Sequence, residues 1–178
     1  MISYILEFWA SKKQSSRIKR RFNLMVVESN FVIKGDLTNL AIGCKTQIQN
    51  NCTFHLGGYK WSGYQGKIEI GKNAVIGSNS VLIGAGPYGI IIGDNFDGGP
   101  GVVISSSKTK LESLHNHDFA KVIIGDNVTL YANVVVSPGA TIGNNCVIGA
   151  NSVVKGMIPD HSLAIGNPAV VVKSNIRK

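Results

Sequence analysis

Two of the chain's four histidines, His115 and His117, fall in one irregular stretch, SSSKTKLESLHNHDFAK, from Ser105 to Lys121. An imidazole titrates ordinarily at about 6.5, so at neutral pH it can take a proton from an attacking group as a general base. Asp118 and Glu112 lie near enough in sequence to orient such a ring. Two other readings of the pair stay open. His115 and His117 could supply two ligands to a zinc ion, although His55 and His161 are distant in sequence as further ligands, or they are ordinary loop histidines. Cys44, Cys52 and Cys146 are odd in number and form no C-x-x-C pair. They are expected to be reduced core thiols, with no metal site.

The element that must position these groups is a repeat. An aliphatic residue falls at Ile124, Leu130, Val136, Ile142, Ile148 and Val154, and small residues (Ala140, Cys146, Ser152) stand two places before the later ones. A period of six fits neither a helix nor one long two-faced strand; it predicts a solenoid in which each hexamer is a short strand and a turn. The same period runs through Ile42, Ile48 and Phe54, through Ile70, Ile76 and Leu82, and through Ile92, position 98 and Ile104. About five coils of three hexamers are expected, with loops inserted at three corners: Gly57 to Lys67, Gly84 to Gly89, and Ser105 to Lys121. Position 98 calls for an aliphatic residue but holds Gly98, so either the register bends there or the coil is locally open. Tyr59, Trp61 and Tyr64 crowd the first loop, where rings could stack on a sugar face, cover an acceptor pocket or pack the loop onto the coil.

Composition agrees with a repeat. Among 178 residues there are 21 glycines but only six Phe and two Trp, which suits many tight turns around an aliphatic core. The net charge of +8 is uneven: Lys12, Lys13, Arg17, Lys19, Arg20 and Arg21 oppose the single Glu7 in the first 21 residues. Two units are expected, a basic amphipathic N-terminal arm over residues 1–25 and a β-helical domain with a C-terminal cap over 26–175. Ile2, Ile5, Leu6 and Trp9 follow helical spacing, so the arm could lie on an anionic membrane surface or dock on the body or a neighbouring subunit. No nucleic-acid motif accompanies the charge. Without a bilayer-length apolar run or a signal-peptide start, a cytoplasmic location is expected.

The ending of the chain carries a family signature. Gly149, Ala150, Ser152, Val153 and Val154, then Ile158 and Pro159, then Gly166, Asn167, Pro168 and Ala169, with a basic residue at Lys173, resemble the hexapeptide-repeat acyltransferases. Within that superfamily the sequence is most similar to the maltose and galactoside O-acetyltransferases and to the polysaccharide O-acetyltransferases, over residues 30 to 175. The resemblance implies a left-handed parallel β-helix, all-β and triangular in section, assembled as a homotrimer. The handedness rests on the resemblance alone, because parallel crossovers are ordinarily right-handed.

The resemblance further implies acetyl-CoA as cosubstrate, bound in the groove between subunits, and a histidine that deprotonates the acceptor. Carried over by position, Ala132 and Ala150 would meet the pantetheine arm, and Lys155 and Lys173 the phosphate end. The plain alternatives are repeat positions for the alanines and ordinary surface for the lysines. The family's base position aligns with Thr109 here, which leaves His117, and next to it His115, as the candidate bases. The implied activity is transfer of acetyl to a sugar hydroxyl of a sugar or glycan acceptor in bacterial surface-polysaccharide synthesis. An amino-sugar N-acetyltransferase, a solenoid that has lost catalysis and a zinc-dependent γ-class carbonic anhydrase are the alternatives.

Overall fold

A chain that repeats every six residues leaves the backbone groups of each short strand unpaired until another coil stacks on it. The computed structural model of the chain describes residues 16, 18–23, 26–58 and 60–176, without the side chains of Leu114 and His115. Most of the expected N-terminal arm, with its proposed membrane contact, therefore lies outside the described residues, as does Tyr59. Within them the strands form three parallel sheets that wind round one core as a left-handed parallel β-helix.

Face A begins at Val26–Val27 and ends at Leu163–Gly166, face B runs from Val32–Gly35 to Val153–Val154, and face C from Leu40–Ile42 to Met157–Ile158. Successive strands visit A, B and C in turn, which makes six rounds, one beyond the about five expected from spacing. The added round comes from the ends: the first coil is too irregular to declare its period, and the last turns onto face C only four residues after Val154. A final strand, Ala169–Lys173, pairs antiparallel with Leu163–Gly166 and covers the end of face A. At the start, Ile18 is buried in the core, with Phe22 packed against it. Among the described residues, no helix is long and apolar enough to cross a membrane.

Each strand turns one aliphatic residue inward, and parallel register stacks these into columns. Face C carries Ile42, Ile70, Ile92, Ile124, Ile142 and Ile158 in unbroken register, all buried. On face A the register also holds through Gly98, which pairs with Ile76 on one side and Leu130 on the other. The coil neither bends nor opens there. Phe96, two residues earlier and only 1 % exposed, fills the space: a β-carbon at Gly98 would stand 2.8 Å from its ring. Other coils place a small residue before a large one, as in Ala74 and Ile76; here the order is reversed. Cys52 and Cys146 occupy small-residue slots as fully buried thiols, donating to the carbonyls of Gly77 (3.2 Å) and Pro159 (3.0 Å).

Two of the three corners are closed by side-chain ladders. Between faces C and A, Asn73 donates to Asn95 (2.9 Å), Asn95 to Asn127 (2.9 Å) and Asn127 to Asn145 (3.1 Å), all at φ near +57°. Asparagine tolerates the left-handed conformation better than most residues, and its amide joins the coils. The preceding residue reinforces the corner: the Asp94 amide donates to Asp126 Oδ1 at 2.7 Å. A β-carbon on Gly93 would lie 2.2 Å from that oxygen, so the corner needs glycine for close approach. The A–B corner has a shorter counterpart in Asn30, Asn51 and Asn79.

Phe96→Ala should lower unfolding free energy by about 3–5 kcal/mol because Gly98 has nothing with which to fill the cavity. Phe96→Ala combined with Gly98→Leu restores the common order and should recover most of the loss in chemical denaturation; no recovery would refute the compensation. Asn95→Ala should cost about 1–2 kcal/mol through backbone conformation alone, with lost ladder bonds added. Asn95→Gly should be milder by the same assay.

Candidate active site

The three insertions leave the coil at one corner, not at three. Residues 57–67, 84–89 and 106–121 each join face B to face C, in the second, third and fourth rounds. The reason is in their spacing: three hexamers separate each insertion from the next, and three hexamers are one complete turn of a three-sided coil. The irregular segments are thus stacked on one edge.

They are also bonded to one another. Gly66 bridges Ala85, and the Gly86 amide donates to the Gln65 carbonyl at 2.9 Å, fastening the first insertion to the second. The fully buried Ser106 hydroxyl sits within bonding distance of the Ala85 (2.8 Å) and Ile83 (3.0 Å) carbonyls, fastening the second to the third. Phe119 then lies on Gly86, where a β-carbon would come within 2.2 Å of the ring. Gly86 has φ +88°, so both its conformation and this contact require glycine.

The third insertion is a β-hairpin, Ser107–Lys110 against Ser113–Phe119. Its register pairs Thr109 directly with His117 and Ser107 with Phe119. Directly paired residues project from the same face of a sheet, so His117 shares a face with the position that the sequence alignment gives to the base. The His117 ring lies 4.4 Å from Trp61 of the first insertion, tilted by 33°, and Trp61 is parallel to Phe119 at 6.4 Å. Lys60, Trp61, Lys110, Asn116 and His117 line a depression of about 640 Å³. Asp118 alternates to the other face and pairs with Lys110 at 3.5 Å. A second depression, of about 440 Å³, lies further along the same edge beside Tyr64, Gln65 and Pro87, and there Lys67 is paired with Glu69 at 2.8 Å.

The other sequence candidates are dispersed. The His115 backbone belongs to the second hairpin strand, while its side chain lies outside the described residues. His55 points outward from face B, where burial first, and Lys34 second, hold its pKa below the usual 6.5. His161 takes an asparagine's place in the C–A corner at φ +58°, its Nδ1 3.3 Å from the Ile176 carbonyl. Ala132 and Ala150 lie in the A–B corner, joined through the Asn151 amide donating to the Ala132 carbonyl at 2.9 Å. Lys155 is exposed at the B–C corner two rounds beyond the hairpin, and Lys173 is exposed on the last strand opposite Leu163. Within one chain, then, His117 and the two alanines stand at opposite edges of face B. Among the described residues no three His, Cys, Asp or Glu side chains gather as a metal-binding group. The ring partners of His117, Trp61 and Phe119, and Gly86 beneath Phe119, were not assigned to it by sequence; the aromatic crowding of the first loop was the available signal.

Known proteins share the repeat and the coil. The family described as bacterial transferase hexapeptide (six repeats) matches residues 121–156, and the hexapeptide repeat of succinyl-transferase matches 67–106. Galactoside O-acetyltransferase of Escherichia coli K12 is 34% identical over 118 residues, 62% of this chain and 55% of that one. A putative lipopolysaccharide biosynthesis O-acetyl transferase, WbbJ, of the same organism is 52% identical over 52 residues, 29% of this chain and 26% of that one. The chain thus spans about half the length of the first relative and a quarter of the second. Among solved structures, the N-acyltransferase AntD from Bacillus cereus, in complex with dTDP and 3-hydroxybutyryl-CoA, superposes with a TM-score of 0.76 at 22% identity, covering 92% of this chain and 89% of that one. By its repeats and its coil the chain is similar to the acyltransferases built on the hexapeptide repeat.

Proposed function

We propose that the chain is an acetyl-CoA-dependent O-acetyltransferase acting on a sugar hydroxyl, with His117 as general base, in bacterial surface-polysaccharide synthesis. The observation that carries this reading is the direct pairing of His117 with Thr109, on an aromatic-backed edge of a hexapeptide coil. The O-acetyltransferase names of the two Escherichia coli relatives support acetyl as the group and oxygen as the acceptor atom.

The chemistry asks little of the protein beyond position and a base. A neutral hydroxyl attacks a thioester poorly, so the imidazole takes its proton as the acceptor oxygen bonds to the carbonyl carbon. The tetrahedral oxyanion needs a hydrogen-bond donor, and its collapse breaks the carbon–sulfur bond. The thiolate of coenzyme A then recovers the proton from the imidazolium. Ala132 and Ala150 would offer small surfaces to the pantetheine arm, and Lys155 and Lys173 point charges to its phosphates.

His117 and the two alanines stand at opposite edges of face B, so this reading includes a homotrimer in which the A–B corner of one copy meets the hairpin edge of the next. Such a ring is a heterologous assembly in which every site takes residues from two subunits.

Coenzyme A release from acetyl-CoA should appear with one or more sugars of a panel, and His117→Ala should lower kcat by about 10²–10⁴-fold. Full activity in that variant would remove the histidine from the mechanism, and failure to bind acetyl-CoA would remove the acyltransferase reading. The shared site has its own test. His117→Ala and Ala150→Trp should each be inactive alone, yet subunits refolded together at equal amounts should regain activity at about a quarter of the sites. No regain, with mixed trimers present, would place the whole site within one chain.

A further inference from the structure

The depression beside His117 carries an electrostatic bias that the acceptor must match. Its lining contributes two lysines, an indole, an amide and an imidazole, and no carboxylate. Asp118 reaches only Lys110, and among the described residues Lys60 has no carboxylate within ion-pair distance. The neighbouring depression is different, since Glu69, the partner of its Lys67, is itself part of the lining. The edge thus offers a balanced hollow and, next to the candidate base, one whose lining is cationic and includes Trp61, a residue 36% exposed. An indole face suits the apolar side of a pyranose, and lysine ammonium groups suit phosphate oxygens as point charges.

We infer that the acceptor is a glycosyl phosphate: a sugar whose ring stacks on Trp61 beside His117 and whose phosphate or diphosphate is held by Lys60 and Lys110. This rests on the proposed acyltransferase reading and narrows its substrate class. A phosphate held at one end of the sugar fixes the ring's orientation, so one hydroxyl is presented to the imidazole. The two lysines thereby become specificity-determining residues, acting on acceptor binding and not on the acyl group.

Binding can be measured apart from turnover. The chain has two tryptophans, Trp9 and Trp61, so in Trp9→Phe protein the indole fluorescence reports on Trp61 alone. Glucose 1-phosphate and UDP-glucose serve as the phosphate and diphosphate probes, with methyl glucoside as the neutral control and inorganic phosphate as the sugar-free one. Quenching by at least one phosphorylated probe should occur at about tenfold lower concentration than by either control, and should weaken as salt is raised. The tighter of the two identifies a monophosphate or a diphosphate acceptor. Lys60→Gln and Lys110→Gln should each weaken that binding by about three- to tenfold, and Lys60→Arg should retain most of it, which separates lost charge from misfolding. Equal binding of methyl glucoside, equal binding of inorganic phosphate, or indifference to both lysine substitutions would each overturn the inference. If the titrations succeed but acetyl-CoA does not bind, the acyltransferase reading fails while the glycosyl phosphate site stands.

Discussion

Strict parallel register between successive coils is the constraint on which the rest of the structure depends. The strands of face C bond in unbroken order from Leu40–Ile42 to Met157–Ile158, and their inward residues form one continuous column. A slip of one residue would turn that column outward along its whole length. Register is therefore guarded at the corners, where the Asn95 and Asn127 amides and the Asp126 carboxylate each reach the adjacent coil. An insertion at the C–A corner would cut that ladder. The B–C corner has no such ladder among the described residues, and all three insertions leave the coil there. The scaffold's need for register thus decides where irregular chain, and with it chemistry, can be placed.

Confinement to one edge has a second effect. Loops that emerge one above another can bond as the coils do, and these are tied by Gly66 to Ala85 and by Ser106 to the Ala85 carbonyl. The hairpin holding His117 consequently stands on a support continuous with the core instead of hanging free. Trp61 and Phe119 flank the imidazole from two different insertions, which fixes the ring by packing. A general base is effective only when held within hydrogen-bond reach of the proton it removes. Face C offers no comparable platform, since its outward row, which includes Ile91, Ile123, Thr141 and Met157, belongs to the regular strands themselves.

What was legible in the sequence follows the same division. The aliphatic residues from Ile124 to Val154 declare the core because each hexamer repeats one local environment, and Cys52 and Cys146 fit its small slots for the same reason. Gly98 looked like a defect because a periodic reading weighs single positions, whereas the core responds to the summed volume of Phe96 and Gly98. The common corner of the insertions was readable from their spacing by three hexamers, yet it takes a three-sided coil to give that number a meaning. The pairing of Thr109 with His117 was beyond the repeat altogether. It depends on the turn at Leu111 and Glu112 and on a register shift between Thr109 and Lys110, neither of which has a period.

The separation of His117 from Ala132 and Ala150 carries the last step. A hinge-built enzyme can join two half-sites by closing, but this coil cannot, because bending face B would break its own parallel ladders. Residues at its two edges stay a full face apart in any state that keeps the core. Between them the outward row Val32, Thr53, Val81, Val103, Val135 and Val153 gives face B a β-branched stripe, with the inward half of each strand already committed to the core. A rigid prism with half a site on each of two edges can complete that site only by apposition of another edge. On the proposed reading, a neighbouring copy is therefore part of the chemistry and not merely a source of stability.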